Sequence, residues 1–278
     1  MNYKIVTEAS VDMPENFAKE NDITILPIEV NFNGELYPEG LPNDEFYAKM
    51  KSTGIIPKTS QPNQYKFETA LTPYCNKEDW FVLTIVISSN LAGTIAQAKN
   101  AVEALNMKNV YICDSQVTTF AEGALIMEIV KFIKEKDKKP QEVIDELERL
   151  KSKIKLVAVI SDLKYLKQGG RISGAAAALG TVLGVKPIIS LEGGKVVNIA
   201  KKRGEQANLF MLDCVKNRDK SYPIYFGYSA DSKNIENFVN KYYEQLDVNP
   251  EKIEYNGIGC VVGTHAGPGC YGMVYFVK

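Results

Sequence analysis

Short apolar runs alternate with amphipathic stretches along nearly the whole of this chain, and that alternation restricts its fold more than any other feature. Runs of strand type occur at residues 4–7, 23–28, 80–87, 109–113, 156–160, 185–190, 224–228, 258–262 and 273–277. Stretches of helical period lie between them at 44–51, 64–71, 94–105, 120–136, 141–151, 204–216 and 234–246. A strand buried on both faces reads as a continuous apolar run, and helices connecting such strands supply the covering layers. The pattern predicts an α/β protein with largely parallel sheets. At 278 residues the chain is long enough for two such domains. Dense charge and a proline interrupt the helical pattern at Glu135-Lys136-Asp137-Lys138-Lys139-Pro140, so the domains are expected at 1–150 and 151–278. Ligands of α/β sheets gather at the carboxyl ends of strands, and the ligand site is expected between the two domains.

Charge and cysteine content narrow the function. A net charge of −1 gives no global basic field for nucleic acid or an anionic membrane. The opening residues Met1-Asn2-Tyr3-Lys4-Ile5-Val6-Thr7 run into strand-like sequence without the sections of a signal peptide, and a cytoplasmic chain is expected. The apolar runs fall far short of the ~20 residues that span a bilayer. Five cysteines with no C-x-x-C pair, and one histidine, read as free thiols rather than a metal site.

The single histidine, His265, stands in Gly263-Thr264-His265-Ala266-Gly267-Pro268-Gly269-Cys270-Tyr271-Gly272, directly after the apolar run 258–262. Glycines let backbone N–H groups approach a bound group, and histidine donates, accepts or carries charge near neutral pH. Two readings stand at this point: a polar ligand site, or a satisfied histidine in a turn between two strands. Four other loops carry chemistry of the same kind. Pro57-Lys58-Thr59-Ser60-Gln61-Pro62 precedes a helical stretch, where hydroxyls serve as ordinary N-caps or bind an anion. Ser88-Ser89-Asn90-Leu91-Ala92-Gly93-Thr94 links a strand to a helix without Walker or Rossmann spacing. Arg171 follows Gly169-Gly170 and precedes Ile172-Ser173 and the alanines at 175–178, and its guanidinium fork suits a carboxylate, an acyl phosphate or a surface ion pair. Lys201-Lys202-Arg203 reads as a solvated face or as a docking site for an acidic partner or phosphate.

Taken in order, these segments resemble the DegV family. The matching residues are Thr59-Ser60-Gln61-Pro62, Ser88-Ser89 with Leu91 and Gly93-Thr94, Asp114-Ser115, Tyr165-Leu166-Lys167 with Gly169-Gly170-Arg171-Ile172-Ser173, Lys186-Pro187, and Ile258-Gly259 through Gly263-Thr264-His265 with Gly267-Pro268-Gly269. The resemblance implies a fatty-acid-binding protein of two α/β domains that holds a long-chain fatty acid between them, without a cofactor or nucleotide site of its own. It also implies a likeness to the binding subunit of bacterial fatty acid kinase, which presents the carboxylate of the bound fatty acid to a separate ATP-using subunit. The acyl phosphate then passes to an acyltransferase at the membrane surface. By motif, Thr59, Ser60, Ser89, Ala92, Gly93 and His265 fall around the carboxylate, and Arg171, Lys201, Lys202 and Arg203 face the phosphate or partner.

Two departures stand out. Ala92 occupies the place of a serine in the family's Leu-Ser-Gly-Thr, and Thr7-Glu8-Ala9-Ser10 replaces Thr-Asp-Ser-Ser. Losing a hydrogen bond to a charged head group costs about 1.5–3 kcal/mol unless Ser89 or the backbone N–H groups near Ala92 and Gly93 replace it. Burying a palmitate-length chain at ~0.8 kcal/mol per methylene gives about 11 kcal/mol before association costs, so the loss is tolerable. The alternative from the same residues is a serine–histidine acyl hydrolase, with Ser89 or Ser60 as nucleophile and His265 as base. The chain has no G-x-S-x-G elbow to support it.

Overall fold

The computed structural model describes residues 1–37, 42–75, 77–135, 137–172 and 184–278. Lys136, Ser173 and the alanines at 175–178 lie outside the described residues. In chain order the strands are β1 (Asn2–Glu8), β2 (Thr24–Leu26), β3 (Glu29–Phe32), β4 (Glu35–Leu36), β5 (Lys58–Ser60), β6 (Trp80–Val86), β7 (Val110–Asp114), β8 (Ile154–Val159), β9 (Val185–Glu192), β10 (Lys195–Arg203), β11 (Tyr225–Tyr228), β12 (Tyr255–Gly257) and β13 (Tyr271–Phe276). The described α-helices are α1 (Glu15–Glu20), α2 (Asn43–Thr53), α3 (Gln64–Leu71), α4 (Thr94–Ala104), α5 (Thr119–Lys134), α6 (Pro140–Lys153), α7 (Lys164–Gln168), α8 (Glu205–Cys214), α9 (Lys233–Leu246) and α10 (Cys260–Ala266). They pack as two compact units, Met1–Glu29 with Ser60–Ser152, and Val30–Thr59 with Lys153–Lys278.

The first unit is built on a parallel sheet of order β2-β1-β6-β7. Val6, Val82 and Val86 join Phe67 and Leu71 of α3 and Ala98 and Ala101 of α4 in one core. Ile5, Leu83 and Ile85 point to the opposite face and are equally buried. Burial on both faces is why β1 and β6 read as unbroken apolar runs.

The second unit carries a sheet of order β10-β9-β8-β13-β11-β12. Here the expectation of largely parallel pairing gives way to a mixed sheet: β11 and β12 run parallel, whereas the other neighbouring pairs are antiparallel. The hairpin β9-β10 turns through Gly193-Gly194, so no crossover helix separates these strands, and antiparallel pairing follows. Its core gathers Val157, Val159, Ile188, Met211, Phe226 and Met273. Ile235, Phe238, Val239, Tyr242 and Leu246 of α9 recur at helical spacing and are buried in the same core.

Residues 30–59 divide the expected 1–150 segment, because their apolar groups pack within the second unit. They carry α2, whose Phe46 and Tyr47 are buried, and all of the sheet β4-β3-β5 except Glu29 and Ser60. The Tyr47 hydroxyl donates to the Ile258 carbonyl at 2.8 Å. A Cβ placed on Gly263 would stand 2.3 Å from that hydroxyl oxygen, so glycine permits the close approach of α10 to α2.

One predicted strand is corrected. Residues 258–262 are not a strand: β12 ends at Gly257, and Cys260–Ala266 form α10. A five-residue apolar run fits a buried helix turn as well as a strand, and the glycines on either side decide. The Gly263 N–H donates to the Gly259 carbonyl at 2.7 Å, and Gly267, at φ 73°, ends the helix by donating to the Gly263 carbonyl at 2.8 Å. His265 therefore sits in the last turn of a short helix rather than in a turn between strands.

Candidate functional site

The site is built from the second unit around His265. Thr59 was a candidate N-cap, but Asn63 takes that role for α3 by accepting from the Lys66 N–H at 3.0 Å. Thr59 lies instead in β5, and its Oγ1 stands 3.0 Å from His265 Nε2. His265 Nδ1 is buried and has no hydrogen-bond partner.

Burial and, secondarily, the positive charge of Arg171 push the His265 ring down to about 4, so it is neutral at pH 7. The position at a helix C-terminus favours the cationic ring, yet seven residues make a weak dipole and desolvation prevails. A neutral imidazole and a threonine hydroxyl own two polar hydrogens between them. The bond between Thr59 and His265 uses one of these. In one tautomer the free hydrogen is the Thr59 O–H, and in the other it is the N–H at buried Nδ1. Because Nδ1 is buried against Gly169, the tautomer that donates from Nε2 and frees the Thr59 O–H is the one that suits an anion.

Gly169 and Arg171 frame the same ring. A Cβ on Gly169 would lie 2.2 Å from His265 Nδ1, so any larger residue there would displace the histidine. Arg171 is fixed by its own N–H to the Leu166 carbonyl at 2.9 Å, and its guanidinium donates to the Gly169 carbonyl. Burial lowers the affinity of this guanidinium for its proton.

The other predicted residues fall in different places. Ser60 is exposed and opens the second segment of the first unit. In the loop after β6, Ser88 is fully buried, whereas Ser89 and Gly93 are exposed and Ala92 is half-buried. The Ala92 N–H donates to the Ser88 carbonyl at 3.1 Å. That backbone donor is therefore committed and does not replace the missing serine hydroxyl. The Ser89 N–H is held by Asp114 Oδ1 at 3.2 Å. Thr94 Oγ1, two residues beyond Ala92, is buried without a partner.

Lys201 and Arg203 alternate with Lys202 along β10 and so point to the face opposite to it. Lys202 rests 5.6 Å from the Phe210 ring centroid of α8. These cations end a strand rather than filling a loop. Sequence reasoning missed the steric role of Gly169 and the pairing of Glu8 with Glu122, whose residues lie far apart in the chain. Among the described residues no group of three or more His, Cys, Asp or Glu side chains could hold a metal, and no helix is long and apolar enough to cross a membrane.

Fold and site together define a class: a two-unit α/β protein with a buried, neutral histidine–hydroxyl pair beside an arginine. The chain belongs to the DegV family, whose model, described as that of an uncharacterised protein family, matches residues 2–278. Protein DegV of Bacillus subtilis is 29% identical over 282 residues, covering 100% of both chains. A fatty-acid-binding DegV family protein from Thermus thermophilus superposes with a TM-score of 0.88 at 28% identity, covering 100% of both chains. DegV of Bacillus subtilis, a fatty acid binding protein, superposes at 0.85 with 26% identity over 100% of both. A stearic-acid-binding protein from Eubacterium ventriosum does so at 0.86 with 25% identity, covering 99% of this chain and 98% of the other.

Proposed function

We propose that this chain binds a long-chain fatty acid and receives its carboxylate at the Thr59–His265 pair. The undirected hydrogen of that pair, beside the Arg171 charge, is the observation that carries the reading. The class of ligand is supported by the fatty-acid-binding relatives. Apolar burial dominates affinity, and the polar pair sets orientation and selects a carboxylate over an ester or alcohol. Ser60, Ser89 and Gly93 remain proposed head-group contacts. The test is denaturing mass spectrometry of the purified protein, followed by palmitate titration after delipidation. Co-purified fatty acid and saturable rebinding are expected; no lipid and no rebinding would reject the proposal.

As a carrier the protein performs no chemistry and needs no cofactor. The finer proposal is that it presents the carboxylate to an ATP-using kinase subunit in the cytoplasm. Arg171, Lys201 and Arg203 are its phosphate- or partner-facing residues, and a membrane-surface acyltransferase consumes the acyl phosphate. Acyl-phosphate formation when kinase subunit, ATP and loaded protein are mixed, lost when any one is omitted, is the expected result. The hydrolase alternative lacks support, since a catalytic histidine base is oriented through its second nitrogen and His265 Nδ1 has no partner. A fluorophosphonate probe is expected to label no serine.

A further inference from the structure

A second buried polar centre lies in the first unit, where β1 meets the start of α5. Glu8 ends β1, Glu122 occupies the first turn of α5, and both are fully buried. Glu8 Oε1 accepts from the Ile87 N–H at 2.9 Å and from Ser10 Oγ at 3.1 Å. Glu122 Oε1 accepts from Thr7 Oγ1 at 3.2 Å, and its Oε2 lies 3.5 Å from the same Ser10 Oγ. Ser10 owns one hydroxyl hydrogen and is placed between two carboxyl groups. When it donates to one, its lone pair faces the other, and that contact is a hydrogen bond if the second carboxyl carries a proton. Glu8 Oε2 is buried without a partner, and no ion pair among the described residues involves either carboxyl.

The surrounding backbone is clamped around this pair. Thr119, a β-branched residue, takes the left-handed conformation at φ 56°. Its N–H donates to the Ser10 carbonyl at 2.9 Å and its hydroxyl donates to Asp12 Oδ2. Strain of this kind persists where the surroundings over-determine it. The groups facing the pair are Thr7 from β1, Ser10 and Asp12 from the following loop, and the Ile87 N–H just after β6, with Thr119 of α5 holding Ser10 and Asp12 in turn.

We propose that Glu8 and Glu122 form a proton-binding site, in which one retained proton fastens the loops after β1 and β6 to the first turn of α5. Through Ile87 the site holds the start of the 88–94 loop, so its proton sets how firmly that loop is anchored. Burial pushes Glu8 up to about 7, and burial with the charges of Glu8 and Asp12 drives Glu122 well above the carboxylate range. The folded pair binds its proton more tightly than the unfolded chain does. Stability from protonation of Glu8 is complete below the ordinary carboxylate value and is lost as pH rises through about 7, with the Glu122 proton retained beyond it.

The direct test is infrared spectroscopy of the full chain with ¹³C-labelled glutamate carboxyls, titrated from about pH 5 to 9. A protonated-carboxyl band that diminishes as pH rises through about 7 is expected, and E8Q should remove that step. Hydrogen exchange at residues 87–94, corrected for intrinsic rates, should lose about tenfold protection from pH 6 to 9 in the wild type but not in E8Q. E122Q serves as the second variant, since its amide also supplies a permanent donor. Absence of the band, identical pH profiles in the wild type and both Gln variants, or a stoichiometric bound cation by elemental analysis would overturn the proposal.

Discussion

The two buried titratable centres, His265 in the second unit and Glu8 with Glu122 in the first, answer burial in opposite directions. Desolvation pushes the imidazole down to about 4 and Glu8 up to about 7, each toward its neutral form. Their hydrogen counts differ. Thr59 and His265 share two hydrogens and one mutual bond, which leaves a donor over. Ser10 supplies one hydrogen between two carboxyls, which leaves a donor wanting. A centre with a surplus donor awaits an anion, whereas a centre short of one keeps a proton. Burial alone therefore does not mark a binding site; the balance of donors and acceptors does.

The largest expected effect breaks the carboxyl centre. Glu122→Ala leaves a cavity and an unmet hydroxyl at Thr7, and should cost about 2–4 kcal/mol in urea denaturation. His265→Ala removes one hydrogen bond and should cost less stability, yet weaken fatty acid binding by about 1.5–3 kcal/mol in calorimetry while leaving fatty alcohol binding nearly unchanged.

The pH profiles should separate the centres next. The folded pKa of His265 lies below the ordinary value, so its stability is complete above about pH 6.5 and lost as pH falls through about 4. His265→Gln should flatten that acidic limb, and Glu8→Gln the limb through neutrality. A smaller gain is expected from Ala92→Ser, which restores a hydroxyl and should strengthen binding by about 0.5–1.5 kcal/mol. Smallest of all, replacing Lys201 and Arg203 with serine should shift stability by less than about 0.5 kcal/mol and leave fatty acid affinity intact, with loss confined to partner-dependent phosphoryl transfer.

Much of the architecture was legible because burial on both faces writes itself as continuous apolar runs, as in β1 and β6. Helix α3 begins and ends where its spacing predicts, at Gln64 and Leu71. The short strands β3, β4 and β5 were not anticipated, since two to four residues carry too little periodicity. Strand β10 escaped notice because Lys201-Lys202-Arg203 looks like a solvated loop until its pairing with β9 is seen. At the site, Thr59 and His265 were legible as chemistry, but their 3.0 Å contact depends on packing of residues 206 positions apart. The same holds for Gly169, whose missing side chain makes room for a ring that sequence alone does not place beside it.

Because His265 is the only histidine, a nitrogen-15 histidine spectrum contains one ring and reads the proposed head-group contact without interference. The delipidated protein should show a neutral ring down to about pH 5. Saturating palmitate should shift its nitrogen resonances and raise its pKa, because a nearby carboxylate favours imidazolium. Unchanged resonances and an unchanged pKa with palmitate bound would contradict the assignment of the carboxylate to Thr59 and His265.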